Sequence, residues 1–145
     1  MNIYMAGSFS KTVMLRKLAL QVRNSGHDVF LFCDEKTPTN IMSERLRGSG
    51  LIDTFTPQTA MENTDVRNIG LTDWVELDKA ELVIIVLPCG RSAHLEGGYA
   101  KGKGKKVCVY GEMLRGEFDA MYVMMDRIFG LNEFEQMMSW IESLV

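Results

Sequence analysis

Six consecutive apolar residues, Leu82–Leu87, are the feature that most constrains how this chain can fold. A strand this apolar along its whole length has no face for water, so it must lie inside a parallel sheet covered by helices on both faces. Strand-like runs recur at residues 3–6, 29–32 and 107–110, with helical patterns between them. The sequence therefore predicts a doubly wound, flavodoxin- or Rossmann-like α/β fold of about five parallel strands.

Helices are predicted over residues 11–24, 63–80, 93–101 and 132–144, with a short helix over 118–125. The stretch from 37 to 59 is expected to be an irregular connection containing one helix at 41–47, because Gly48, Gly50 and Pro57 interrupt its pattern. A length of 145 residues fits one domain spanning 1–145.

Net charge, apolar runs and cysteine spacing limit the classes of function that this chain can have. A net charge of −3 disfavours a nucleic-acid polymer as partner, since backbone binding needs a basic face, and it favours a small substrate. No apolar run approaches a membrane span and no secretory signal is evident. Three cysteines without zinc-like spacing indicate reduced thiols, so we expect a cytoplasmic protein without a metal or cofactor.

In an open α/β sheet, ligands bind beyond the carboxyl ends of the strands, where the strand order reverses. The loops after the first strand and after Leu82–Leu87 are therefore expected to share one cleft. Those two segments contribute Tyr4, Gly7, Ser8, Ser10, Gly90, Arg91, Ser92, His94 and Glu96.

Three segments of the chain, in this order and spacing, carry a resemblance to a known family. They are residues 3–7 (IYMAG), Asp73 ahead of 80–84 (AELVI), and 90–100 (GRSAHLEGGYA). Together they resemble the nucleoside 2-deoxyribosyltransferases, including the related 2′-deoxynucleoside 5′-phosphate N-hydrolases. The resemblance implies that Glu96 attacks the sugar, that Tyr4 orients Glu96, and that Asp73 binds the sugar or moves a proton to the departing base.

The chemistry of N-glycosidic cleavage suits those residue types. Its oxocarbenium-like transition state is stabilised or trapped by a carboxylate on the opposite face of the sugar. Glu96, near the positive end of a helix dipole, is expected to stay ionised at neutral pH. Each residue also has a purely structural alternative: Glu96 as an acid that favours a helix start, Asp73 as a local cap, and Tyr4 as a core tyrosine. Asp78 is the alternative candidate for the second carboxylate.

Gly90-Arg91-Ser92 departs from the transferases, which tend to carry an acidic residue in this loop. A cation, a hydroxyl and helix N-terminal amides form an anion site, which favours a 5′-phosphorylated substrate. Ser8 and Ser10 are candidate further phosphate contacts, and Gly7 permits close backbone approach. The alternatives are a solvated charge at Arg91, an N-cap at Ser92 and a simple turn at Gly7.

Other patterns are weaker. Cys89 and His94 could be a thiol nucleophile and its base, but no third group that would orient them is evident. Residues 101–106 lack the Walker pattern of a phosphate-binding loop, so a solvated turn is favoured there. The late methionines are typical of core or subunit contacts. By the resemblance, Met121 and Tyr122 face the ligand of a neighbouring subunit, which predicts at least a homodimer.

The sequence leaves four functions open. Hydrolysis of a deoxynucleoside monophosphate, favoured by the Arg-Ser loop, ranks ahead of deoxyribosyl transfer between bases. A non-catalytic nucleotide sensor would keep the pocket without turnover. Cleavage of the nicotinamide bond of a dinucleotide ranks last, because no second nucleotide subsite is evident.

Overall fold

The computed structural model describes residues 1–145, which form a five-stranded sheet flanked by helices. The strands are β1 (Asn2–Ala6), β2 (Asp28–Leu31), β3 (Leu82–Leu87), β4 (Lys106–Gly111) and β5 (Arg127–Gly130). The helices are α1 (Thr12–Asn24), α2 (Pro38–Ser49), α3 (Pro57–Glu62), α4 (Thr64–Lys79), α5 (Arg91–Gly102) and α6 (Phe134–Glu142). None of these helices has the length and apolar character needed to cross a membrane.

All strand pairings are parallel, and the strand order is β2-β1-β3-β4-β5. The chain runs from β1 outward to β2 and then returns to the other side of β1, so the strand order reverses between β1 and β3. The predicted doubly wound α/β fold is confirmed. β3 has the predicted bounds, and all six of its residues are buried.

Alternation along the strands divides the core into two layers, since successive side chains point to opposite faces. Ile3 and Met5 belong to a cluster that includes residues of α1 and α6. Tyr4 and Ala6 belong to a second cluster with residues of α4 and α5. Helices therefore cover both faces of the sheet, and Tyr4 faces the layer that contains α5.

The helix predicted at 41–47 is present, but the rest of the stretch 37–59 is more regular than predicted. α2 extends over Pro38–Ser49, followed by a 3₁₀ turn at Leu51–Thr54 and by α3. Pro38 and Pro57 each occupy the first turn of a helix, where the backbone N–H that proline lacks would have no partner within the helix and its fixed φ suits the helix. Pro57 thus starts a helix rather than interrupting one, and Thr56 forms a capping box with Thr59.

The C-terminal part differs in detail from its prediction. The short helix expected over 118–125 is a 3₁₀ turn at Ala120–Met124, and Ile128 and Phe129 lie in the edge strand β5. The lysines of residues 101–106, at the end of α5 and after it, also do more than form a solvated turn. The ammonium nitrogens of Lys101 and Lys106 lie 2.8 and 3.2 Å from Asp126 carboxylate oxygens, and Lys105 donates to the carbonyls of residues 78 and 80.

Helix α5 lies so close to β3 that the residue facing Ile85 has no room for a side chain. A Cβ added to Gly97 would overlap the Cδ1 atom of Ile85, whereas a Cβ on Gly98 would meet nothing within 4 Å. Gly97 therefore lets α5 lie close to the sheet, and Glu96 is the preceding residue on this helix.

We expect Gly97→Ala to lower the free energy of unfolding by about 1–3 kcal/mol, because the new methyl group overpacks the α5–β3 contact. Gly98→Ala is the matched control, and we expect it to raise that free energy by about 0.5–1 kcal/mol through helix propensity. Urea denaturation of both variants measures the difference. Equal stability of the two variants would contradict the close packing.

Candidate active site

The residues expected to carry chemistry meet at the carboxyl ends of β1 and β3, where the strand order reverses. Glu96 enters this region from α5, Asp73 from α4 and Tyr4 from β1. Two cavities adjoin them, and both are lined in part by Asp73 and Glu96. We call them the polar cavity and the apolar cavity.

The polar cavity, of about 310 Å³, opens between the loop after β1 and the start of α5. Besides the two carboxylates, it is lined by Gly7, Ser8, Phe9, Phe32, Ile69, Gly90, Arg91, Ser92 and Ala93. The apolar cavity, of about 390 Å³, lies between α4 and α5. Its other lining residues are Val66, Ile69, Gly70, Trp74, Leu77, Ser92, Leu95 and Tyr99.

Glu96 accepts a hydrogen bond from Tyr4, with 3.0 Å between the phenolic oxygen and Oε1. Tyr4 has no exposed surface, and burial together with the nearby charges of Glu96 and Asp73 raises its pKa, so the phenol keeps its proton and remains a donor. Stacking on Phe30, with 5.4 Å between ring centroids, further fixes its ring. The contact that the resemblance implied between Tyr4 and Glu96 is present.

Burial raises the pKa of Glu96 to about 7; the Tyr4 hydrogen bond opposes this rise, and the charge of Asp73 adds to it. Glu96 is therefore only partly ionised at neutral pH. From the helix dipole this carboxylate was expected to stay ionised at neutral pH; burial acts in the opposite direction.

Asp73 accepts a hydrogen bond from Thr39, with 2.6 Å between Oγ1 and Oδ1. Burial raises the pKa of Asp73 to about 6, and the Thr39 hydrogen bond opposes the rise. Asp78, the alternative second carboxylate, lies elsewhere: its Oδ1 accepts from the Tyr99 hydroxyl at 2.7 Å. Asp73, not Asp78, shares both cavities with Glu96.

The start of α5 has the features of an anion site. Its N-cap is Gly90, and no side chain caps the first turn, so the terminal amides are free to bind a ligand. Arg91 forms no ion pair within the chain, and Ser92 does not serve as the N-cap. Both line the polar cavity beside Glu96.

The remaining predicted residues differ in their placement. Ser8 lines the polar cavity and also caps the 3₁₀ turn at Phe9–Lys11, whereas Ser10 is exposed and lies outside both cavities. Gly7 lines the polar cavity, and a Cβ there would approach Leu15 Cδ2 to 2.8 Å. Met121 is 56% exposed and lines neither cavity, so this chain alone does not bring it to Glu96.

Cys89 and His94 do not form a nucleophile and base. His94 Nδ1 lies 2.8 Å from the Gly90 carbonyl oxygen, which can only accept, so Nδ1 carries a proton; Nε2 lies 2.8 Å from the Tyr122 hydroxyl. Nδ1 therefore has no lone pair for the Cys89 thiol, whose sulfur is 3.8 Å away. Burial, with the charges of Glu96 and Glu117, raises the pKa of Cys89 to about 11.

Thr39 is the site residue that the sequence did not single out. It is fully buried near the start of α2, inside the stretch predicted to be irregular. Its partner Asp73 is 34 residues away, so no local spacing links the two. No group of three or more histidines, cysteines and carboxylates is placed to hold a metal ion.

The raised pKa values make stability depend on pH. In the folded protein Glu96 and Asp73 hold protons that the unfolded chain releases above about pH 4, so stability falls as pH rises through the window up to about 7. We expect Glu96→Gln to be more stable than the native chain by roughly 2 kcal/mol at pH 8 and about equal at pH 4. Chemical denaturation at the two pH values measures this, and a gain of the same size at both would contradict it.

Among the solved structures that share this fold, two are matched along nearly their whole length. The CMP N-glycosidase BcmB of Clostridium botulinum superposes with a TM-score of 0.53 and 13% identity, covering 100% of both chains. A conserved protein of Enterococcus faecalis V583 superposes with a TM-score of 0.59 and 14% identity over 99% of this chain and 98% of its own. No protein-family model and no curated protein sequence matches this chain. The fold implied by the resemblance is thus also the fold of a solved N-glycosidase structure.

Proposed function

We propose that this protein is an enzyme that cleaves the N-glycosidic bond of a 2′-deoxyribonucleoside 5′-monophosphate, or of the deoxynucleoside, and releases the base. The observation that carries the proposal is the pair of half-buried carboxyl groups. Glu96 and Asp73 line the same two cavities, and each has one oxygen held by a buried hydroxyl. Enzymes that cleave glycosidic bonds use two carboxyl groups with different pKa values, one as the acid and one as the nucleophile.

The free Oε2 of ionised Glu96 attacks C1′ of the sugar while the C1′–N bond breaks and its electron pair moves to the base. Protonated Asp73 gives its proton to the departing nitrogen, so the base leaves neutral. Water then attacks C1′ of the glycosyl-enzyme ester, Asp73 takes a proton from that water, and Glu96 leaves as a carboxylate. Both groups return to their starting protonation states.

The 5′-phosphate would bind at the start of α5. The guanidinium of Arg91, the hydroxyl of Ser92 and the uncapped amides of α5 supply charge and donors beside Glu96. Gly90 leaves the backbone accessible there, and Ser8 lines the same cavity. This arrangement favours a nucleotide over a nucleoside as substrate.

The fold comparison supports the same chemistry, since one structure with this fold is a CMP N-glycosidase. That substrate is a ribonucleotide, whereas the preference for 2-deoxyribose here rests on the family resemblance. A substrate panel therefore has to include both sugars.

We further propose a cytoplasmic homodimer acting on a small molecule. The free thiols of Cys33, Cys89 and Cys108 suit a reducing compartment. The segment carrying Met121 also exposes the apolar side chains of Phe118 and Val123, which a second subunit would cover. In such a dimer Met121 would contact the ligand of the neighbouring subunit.

The proposal is tested by measuring base release from ribo- and deoxyribonucleosides and their 5′-monophosphates. We expect release from monophosphates, with kcat/KM at least ~10³-fold lower in Glu96→Gln and ~10²- to 10⁴-fold lower in Asp73→Asn, because these remove the nucleophile and the acid. Asp78→Asn, on the same helix, is the matched control and is expected to stay within about threefold.

Deoxyribosyl transfer and the nucleotide sensor each have their own result in the same assay. Base exchange that occurs only when a second free base is added would replace hydrolysis by deoxyribosyl transfer. Thermal stabilisation by nucleotides without any base release would replace both by a nucleotide sensor.

The pH dependence follows from the two carboxyl groups. The active form carries one proton on the pair, so we expect a bell-shaped profile of kcat/KM with its maximum between pH 6 and 7. That proton resides more often on Glu96 than on Asp73, because the pKa of Glu96 is the higher of the two. The reactive form, with Asp73 protonated and Glu96 ionised, is therefore the less populated one. In Asp73→Asn the residual activity is expected to rise to a plateau as Glu96 ionises. An alkaline decline retained in that variant would show that Asp73 does not donate the proton.

A further inference from the structure

Thr39 is a buried hydroxyl with one partner. Its side chain has no exposed surface, and its Oγ1 donates to Asp73 Oδ1 at 2.6 Å. A hydroxyl removed from water is costly unless it forms a hydrogen bond, so the proton of Thr39 is committed to this oxygen. The contact joins the first turn of α2 to the middle of α4.

The same arrangement occurs at the other carboxyl group. Tyr4, also without exposed surface, donates to Glu96 Oε1, and Glu96 Oε2 has no hydrogen-bond partner within the chain. Asp73 Oδ2 is likewise without a partner. Each carboxyl group therefore has one oxygen fixed by a protein hydroxyl and one oxygen left for the ligand.

We propose that Thr39 is a positioning residue for the proposed reaction, which reserves Oδ1 of Asp73 so that the acid proton resides on Oδ2. Because the committed hydroxyl makes Oδ1 an acceptor, a proton added to Asp73 must go to the other oxygen. That oxygen belongs to a side chain that lines both cavities beside Glu96. Thr39 thereby decides which atom can deliver a proton to the leaving base.

Thr39 also affects the pH range over which Asp73 is protonated. Burial raises the pKa of Asp73, and the hydrogen bond from Thr39 opposes that rise. The titratable and charged groups that share this region are Glu96 and Arg91 from α5 and Tyr4 from β1, while α2 supplies the neutral Thr39 hydroxyl. Loss of the hydroxyl should therefore move the activity profile to higher pH.

The test compares Thr39→Val, which removes the hydroxyl at nearly constant volume, with Thr39→Ser, which keeps it. We expect Thr39→Val to lower kcat for base release at least about tenfold, with KM within about threefold, and to shift the pH profile upward. Thr39→Ser should restore both. Thr39→Ala removes the hydroxyl with less steric demand and gives the same comparison if Thr39→Val does not fold.

Thr37→Val is the structural control. The Thr37 hydroxyl caps α2 through the amide of Asn40 and donates to the carbonyl of Phe32, without contacting either carboxylate. We expect Thr37→Val to lower the melting temperature while kcat and the pH profile stay unchanged.

Two results would overturn the role of Thr39, and they differ in what they leave standing. A folded Thr39→Val with native kcat and native pH profile, beside an inactive Glu96→Gln, rejects the positioning role and leaves the proposed function intact. Absence of base release by the native protein from every substrate in the panel rejects both.

Discussion

The contact between α5 and β3 decides what Glu96 can do. Gly97 packs against Ile85 without a side chain of its own, so the helix lies directly on the sheet. The preceding residue on the helix then reaches the Tyr4 hydroxyl, which β1 presents on the same face. With a larger residue at 97 either the Ile85 side chain or the helix would have to shift, which disturbs the packing next to Glu96.

Such a site is costly to the fold. Two half-buried carboxyl groups beside the same cavities resist ionisation, and hydroxyl donors compensate only part of the lost hydration. The surrounding core offsets this cost, since β3 is buried along its whole length between two helical layers. The raised pKa values are thus maintained by the packing around the site, and a weakened core would let water in and return both carboxyl groups toward their ordinary behaviour.

Sequence reasoning was most successful where the signal is local or repeats along the chain. The apolar run of β3 predicted its own bounds and the parallel sheet, and sheet topology then placed Tyr4 and Glu96 in one region, whereas Asp73 was proposed only through the family resemblance. It was less successful where one residue type has two opposite structural roles. Proline can interrupt a helix or begin one, and Pro57, predicted to interrupt, begins α3. Thr39 and the raised pKa of Glu96 depend on contacts between distant segments, which no local pattern encodes.

Asp126 shows why the carboxyl groups of the site are held by hydroxyls and not by cations. Burial would raise the pKa of Asp126, but hydrogen bonds from Lys101, from the amide of Val107 and from Lys106 lower it to about 2. Such a carboxylate is permanently charged and serves to join α5, β4 and the segment before β5. A lysine or arginine paired with Glu96 or Asp73 would fix the charge in the same way and leave no proton to exchange near neutral pH. Neutral donors such as Tyr4 and Thr39 orient a carboxyl group without fixing its charge, which is the condition that acid–base chemistry requires.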